Sequence, residues 1–367
     1  MIKKIAVFLP YANPHVIGWI EELKRINDEV LIVCRQPVSR YRKNYFDEFD
    51  NLNFVKYFFK SYSRFSFFKE IRKKNILITL GPFYIDFLIS LLFLKRDSVV
   101  YIMSEPIKRE PKYKLFFKKI VTQLIFVIHP KSNIHFLVLG GLKVKYNYSK
   151  MGFSLCDFYN FGYFPNLKPL ENNKVFENRN IRFLFVGQLI ERKGIQFLIN
   201  SINYLHLNHS NDWSFDIIGD GNLKDNLLNS IDGLSNVTFH GLVTDQNKLN
   251  DFYCKANVFF LPSIFDGWGA VVNEALSKSC SLLLSNNVNS KNSLLIENEN
   301  GFSFDPFDFY SLTLQLNKYF ENPSLLKKHS SFSSNLFKEW NSKNAAISFH
   351  NKINNIENKN LTLLKKI

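Results

Sequence analysis

Short apolar runs alternate with longer amphipathic stretches along most of the chain, and the first 34 residues set the rhythm. Ile5 to Leu9 reads as a strand, Val16 to Arg25 repeats its apolar residues at helical spacing, and Val30 to Cys34 reads as the next strand. Further runs at Ile76 to Leu80, Ser98 to Met103 and Leu124 to Ile128 continue the pattern. Strands that are apolar on both faces and separated by helical stretches predict a parallel α/β sheet. Ile76 to Leu94 is the one stretch with the length and apolarity of a membrane span, but Gly81, Pro82 and Asp86 break it into a strand and a helix. The N-terminal MIKKIAVFLPYANP lacks the apolar core and cleavage site of a signal peptide and reads as the first strand.

The segment FPNLKPLENNKVFENRN turns polar and contains two prolines, which marks an interdomain linker around Pro165 to Asn180. A second series follows. Its strands are Arg182 to Val186, Ser214 to Ile218, Val237 to His240, Val258 to Leu261 and Ser281 to Ser285; its helices are Gly194 to Leu205, Leu223 to Ser230, Gln246 to Cys254 and Ala270 to Lys278. From Pro323 the chain is polar and helical, with Trp340 followed by a helix from Lys343 to Asn355. The expected organisation is an N-terminal Rossmann-like domain over 1–168, a second over 169–340, and a C-terminal helix within 341–367 that packs back toward the first. A length of 367 residues is enough for two such cores.

Composition narrows the partners. The formal charge of +15 lies entirely in residues 1–170, which hold 28 basic and 13 acidic residues, while the rest holds 19 of each. That asymmetry points to an anionic partner, and an anionic membrane surface is favoured because no nucleic-acid-binding module is recognisable. The mixed aromatic and basic stretch Tyr57 to Lys74 is the leading candidate for such contact. The 38 Phe fit an A/T-rich coding bias and need no nucleic-acid explanation. Cys34, Cys156, Cys254 and Cys280 are scattered, with no metal-ligand spacing, and fit a reducing cytoplasm.

In an open parallel sheet, ligands bind beyond the carboxyl ends of the strands. Four places there carry chemistry in the second half. Gly187 ends a strand in GQLIERKGIQFLI, where Lys193 and Gly194 open a helix that can meet a diphosphate. Gly219-Asp220-Gly221 and His240-Gly241-Leu242 form tight turns after the next two strands. In LPSIFDGWGAVVNEALSKSC, Asp266 stands at the mouth of a glycine-rich loop and Glu274 one helical turn or more beyond it, an arrangement suited to sugar and ribose hydroxyls flanking a diphosphate. In the first half Asn13, His15, Glu105 and His129 follow expected strands and are acceptor-side candidates.

FVGQLIERKG, IIGDGN, VTFHGLV and FDGWGAVVNEAL, in that order across Phe183 to Val288, resemble the retaining family-4 type of group 1 glycosyltransferases. IHPKSNIHFLVLGG and FGYFPN extend a weaker likeness into the first half. The resemblance implies the GT-B architecture, two Rossmann-like domains facing a central cleft, and transfer from a nucleotide sugar to a saccharide, in a bacterial surface-polysaccharide pathway. It assigns the donor diphosphate to Lys193, the ribose to Glu274, the sugar hydroxyls to Asp266, the phosphates to the backbone of Gly269, Ala270 and Val271, and the base to the Gly241-Leu242 turn. Gly187, Gln188, Arg192 and Gly219 complete the implied donor site. No metal or other cofactor is implied. Where the family has an arginine this chain has Gln188, with Arg192 nearby to replace the charge, and where it has the first glutamate this chain has Asp266. The basic first half adds a lipid-linked acceptor at the cytoplasmic membrane face. A nucleotide-sugar epimerase and a donor-binding subunit without turnover are the rival readings.

Overall fold

The computed structural model describes residues 3–36, 53, 55–57, 63–107, 111–171, 174, 176, 180–209, 212–356, 363, 364 and 366. It divides into unit 1, Met1–Asn166 with Trp340–Ile367, and unit 2, Leu167–Glu339.

Unit 1 runs β1 (Ile5–Tyr11), α1 (Pro14–Ile26), β2 (Val30–Gln36), β3 (Lys56–Tyr57), α2 (Arg64–Ile71), β4 (Ile76–Leu80), α3 (Ile85–Phe93), β5 (Val99–Ser104), α4 (Lys112–Ile128), β6 (Ile134–Leu139), α5 (Leu142–Tyr148) and β7 (Asp157–Phe161). All seven strands are parallel, in the order β3-β2-β1-β4-β5-β6-β7. Residues Ile5 to Leu9 are buried on both faces of β1, as a sheet covered on both sides demands. Helix α1 starts where Asn13 accepts the His15 N–H, with Pro14 in its first turn, and Lys24 and Arg25 end it.

One reading of the sequence changes here, and two others can be followed into the structure. Leu124 to Ile128 is the last turn of α4, and the strand comes after it, at Ile134–Leu139. Thr122 and Ile125 point inward while Leu124 and Val127 point out, a three-to-four spacing that a five-residue apolar run does not distinguish from a strand. Ile76 to Leu94 divides into β4 and α3, and among the described residues no helix is long and apolar enough to cross a membrane. Asp86, one of the residues that breaks the run, is buried with Arg35 and Arg64 at 3.5 and 3.4 Å. Of Tyr57 to Lys74, residues 58–62 lie outside the described residues, and α2 buries Phe67 and Ile71 while Phe65 stays exposed.

Unit 2 runs β8 (Ile181–Val186), α6 (Ile195–Asn208), β9 (Trp213–Ile218), α7 (Lys224–Ile231), β10 (Val237–Gly241), α8 (Gln246–Lys255), β11 (Val258–Leu261), α9 (Val271–Ser277), β12 (Ser281–Ser285), α10 (Lys291–Leu294), β13 (Gly301–Phe304), α11 (Phe309–Glu321) and α12 (Ser324–Glu339). Its six parallel strands follow the order β10-β9-β8-β11-β12-β13. This is the Rossmann order, and its direction reverses between β8 and β11. The segment expected to be a linker is anchored on unit 2. Leu170 N–H donates to the Ser277 carbonyl, and the buried Lys174 ammonium donates to the carbonyls of Tyr253 (3.1 Å) and Ala256 at the end of α8, which the Cys280 thiol also approaches.

Helix α13 (Ser342–Ile353) then returns to unit 1 and packs on α1. Phe349 lies edge-on to Trp19 and Tyr101, with ring centroids 5.5 and 5.0 Å apart. Gly18 is small where it must be, because a Cβ there would stand 2.9 Å from the Phe164 carbonyl oxygen.

Candidate functional site

The strand order reverses between β8 and β11, and in sheets of this kind the ligand crevice lies beyond the carboxyl ends of the strands at that point. The β8 loop runs through Gly187 and Gln188 into a short 3-10 turn, Glu191–Lys193, and the β11 loop runs from Pro262 to Gly269. They touch at Gly194, whose φ is +74° and where a Cβ would lie 2.0 Å from the Pro262 carbonyl oxygen. Only glycine fits that approach. Backbone bonds from Ile264 and Phe265 N–H to the Arg192 carbonyl continue the seam.

Across it, Lys193 Nζ donates to Asp266 Oδ2 at 2.5 Å, with both residues only 8% exposed. Arg192 Nη1 lies 3.8 Å from Asp266 Oδ1 and donates to the Phe265 carbonyl. Asp266 is itself held from the next loop, because its N–H donates to Asn287 and its carbonyl accepts from the Asn289 side chain. Two cations thus share one carboxylate at the crevice.

The chain then turns through Trp268, buried with its indole N–H on Asn273, and Gly269, at φ +90°. A Cβ on Gly269 would stand 3.6 Å from the Asp266 carboxyl carbon, so the start of α9 at Val271 follows closely on the charged pair. Glu274, half-buried on α9, accepts a hydrogen bond from the fully buried Tyr253 hydroxyl at 2.8 Å. Burial pushes the Glu274 carboxyl from its ordinary 4.5 up to about 7, against the Tyr253 bond, which pulls it down.

Lys193, Arg192, Asp266, Gly269, Ala270 and Val271 are therefore together, and Glu274 follows on the same helix. Gln188 is exposed at the same loop. Gly219 has a packing reason of its own: a Cβ there would overlap the Gly187 carbonyl oxygen at 1.9 Å, and at Gly221 one would meet the Leu189 carbonyl at 2.4 Å. Gly241 ends β10 at φ +66° with open space around it, Leu242 is 46% exposed, and His240 is tied to Asp216 at 2.6 Å. Sequence reasoning missed Tyr253, Asn287 and Asn289. Their contacts to Glu274 and Asp266 cross between elements and leave no local signal.

In unit 1, Asn13 is buried as the cap of α1. The His15 ring stands 5.4 Å from that of Tyr163, whose hydroxyl donates to Glu105. Asn13, His15 and Glu105 thus gather beyond the carboxyl ends of β1 and β5, joined by Tyr163, which sequence reasoning did not single out. His129 is not with them. It caps the end of α4 ahead of β6, at the amino ends of the strands, fully buried with Nε2 2.8 Å from the Ser98 carbonyl. The error follows from reading Leu124 to Ile128 as a strand, which reversed the end of the sheet on which His129 falls.

Two doubly wound parallel sheets, each in a unit of its own, define the architecture: the GT-B fold. Residues 169–338, nearly all of unit 2, match the family described as glycosyl transferases group 1. An uncharacterized glycosyltransferase of Haemophilus influenzae is 26% identical over 156 residues, 42% of this chain and 44% of that protein. An uncharacterized 41.2 kDa protein in the cps region of Klebsiella pneumoniae is 30% identical over 109 residues, 30% of this chain and 28% of that one. Each alignment spans less than half of the relative's length. Among solved structures, Anabaena HepE in complex with UDP superposes with TM-score 0.67 at 13% identity, over 96% of this chain and 100% of HepE. The lipopolysaccharide outer core galactosyltransferase WaaB superposes with TM-score 0.65 at 16% identity, over 96% and 99%. At these identities the likeness is one of fold.

Proposed function

We propose that the protein moves a glycosyl group from a nucleoside diphosphate sugar to a hydroxyl of a saccharide acceptor, with retention of anomeric configuration and without a metal ion. The observation that carries this reading is the Lys193–Asp266 pair at the switch point of a unit that matches the group 1 family. Lys193 and Arg192 take the donor diphosphate, with the backbone of Gly269 to Val271 beside them. Asp266 turns to the sugar hydroxyls, Glu274 accepts from the ribose, and the Gly241-Leu242 turn lies against the base. The bond between the anomeric carbon and the diphosphate oxygen breaks, and the charge that grows on the leaving oxygen is stabilised by Lys193. The acceptor oxygen bonds to the same carbon from the same face, and its proton passes to the departing phosphate.

The acceptor in this reading is a lipid-linked saccharide of a bacterial surface polysaccharide, met at the cytoplasmic membrane face. The Klebsiella relative in a cps region and the WaaB galactosyltransferase fold support that setting. A thermal-shift screen over UDP-, GDP-, ADP- and dTDP-sugars tests the donor half, since a ligand bound only by the folded state raises its melting temperature. One class of nucleotide raises it, and Lys193→Ala diminishes the rise. No shift with any of them refutes the assignment. Conversion of the sugar without acceptor marks an epimerase, and binding without turnover on lipid-linked acceptors marks a non-catalytic subunit.

A further inference from the structure

Helix α4 is apolar on two opposite sides. Thr122 and Ile125 face the core, with Leu115, Val121 and Phe126 packed around them. Tyr113, Phe116, Phe117, Ile120, Leu124 and Val127 face away from it and are 43–73% exposed. At helical spacing these six form one stripe about 100° wide, directly opposite the buried face. A helix of a globular unit ordinarily carries charge there, and an exposed continuous apolar stripe marks a surface that something covers.

The charge around the stripe identifies what covers it. Lys114 borders one side, and Lys112 and Lys119 border the other. From Pro111 to Cys156 the sequence holds eight lysines and no aspartate or glutamate. Lys143, Lys145 and Lys150 belong to α5 and the turn after it, a turn that packs on α4 and on α5, where Leu142 and Tyr146 are also exposed. An apolar stripe bordered by lysines matches the interface of an anionic bilayer, where aromatic and aliphatic side chains sink below the headgroups and ammonium groups meet phosphates. Because the opposite face of α4 holds the core of unit 1, the helix lies in the plane of the interface and does not cross it.

We infer that unit 1 docks on anionic membrane through the outward stripe of α4, with α5 beside it. The inference rests on the proposed function in that a lipid-carried acceptor requires the enzyme at that surface. It also moves the expected contact away from Tyr57 to Lys74, where the described part of α2 leaves Phe65 as its one strongly exposed aromatic.

Flotation of the full chain with phosphatidylcholine vesicles, with and without phosphatidylglycerol, tests it. Binding is expected only with the anionic lipid and falls as salt is raised. The double variant Phe116→Ser/Phe117→Ser and, separately, Lys112→Glu/Lys119→Glu each weaken binding roughly tenfold or more. Phe65→Ser leaves it unchanged, as does Tyr310→Ser on unit 2. Because the substituted side chains are exposed, melting temperature and the nucleotide-induced shift stay as in the parent. Equal flotation of the parent and the phenylalanine variant overturns the inference. So does a parent that light scattering shows to be a dimer and the variant a monomer, since a second copy then covers the stripe. Nucleotide shift without flotation removes the docking surface and leaves the transferase; flotation without nucleotide shift does the reverse.

Discussion

Gly194→Ala isolates the contact that builds the crevice. The substitution imposes two costs. At φ +74° an L side chain is strained by about 1–2 kcal/mol. The new Cβ, 2.0 Å from the Pro262 carbonyl oxygen, forces two backbones apart, and overpacking of this kind costs about 1–3 kcal/mol. Gly233→Ala supplies a matched control, because Gly233 has φ +75° and nothing within 4 Å of its Cβ position. The backbone strain, and the stabilising loss of unfolded-state freedom that accompanies any Gly→Ala change, are common to both. Their difference is therefore the steric contact alone. For a unit the size of unit 2, about 1–3 kcal/mol separates the two melting temperatures by about 2–12 °C. Differential scanning calorimetry of the two variants reads that gap. Moving Pro262 also shifts the loop that carries Asp266, so Gly194→Ala weakens nucleotide-sugar binding while Gly233→Ala does not. Equal melting temperatures for the two variants would falsify the close approach of the two loops.

Replacing Lys193 with Ala removes a charge-assisted bond to the diphosphate worth about 1.5–3 kcal/mol, so the donor dissociation constant measured by calorimetry rises about 10- to 150-fold; an unchanged constant sinks the role given to Lys193. Glu274 is neutral in the ligand-free fold until pH approaches 7, and donor affinity therefore improves between pH 6 and pH 8 if the ionised carboxylate is what the ribose meets. Glu274→Gln flattens that dependence, while Tyr253→Phe removes the bond that favours ionisation and moves its midpoint upward. The sign for stability is the opposite one: the fold holds the proton that the unfolded chain releases near 4.5, so this group's contribution declines as pH rises from about 4.5 to 7. A chemical-denaturation series that rises through that window in the parent relative to Glu274→Gln contradicts it. Transferase activity in the presence of EDTA is expected to equal that without it, and a loss restored by a divalent cation refutes the metal-free reading. Phe349→Ala costs unit 1 about 3–5 kcal/mol by emptying the site between Trp19 and Tyr101, read as a lowered melting temperature.

The alternation of apolar runs located most strands to within a residue or two, and Ile76–Leu80, Val258–Leu261 and Ser281–Ser285 to the residue, because strands buried on both faces leave an unbroken apolar record. It failed at α4 for the physical reason that makes this helix unusual: apolar residues on two opposite sides erase the polar face by which a helix is recognised. The site divides similarly. Lys193 and Asp266 each stood at a strand end in the sequence, yet their pairing across 73 residues is a product of strand order. The bond from Tyr253 to Glu274 depends on how α8 meets α9, and no spacing in the chain encodes it.

The return of α13 to unit 1 makes unit 2 an insertion between two parts of another folding body. During synthesis, unit 2 has all of its own sequence once Glu339 has emerged. Unit 1, though begun first, waits with Trp19 uncovered until Phe349 has been translated and delivered. The order in which the bodies mature is thus the reverse of the order in which they start, and a ribosome that stops between Trp340 and Phe349 releases a completed unit 2 with an unfinished unit 1.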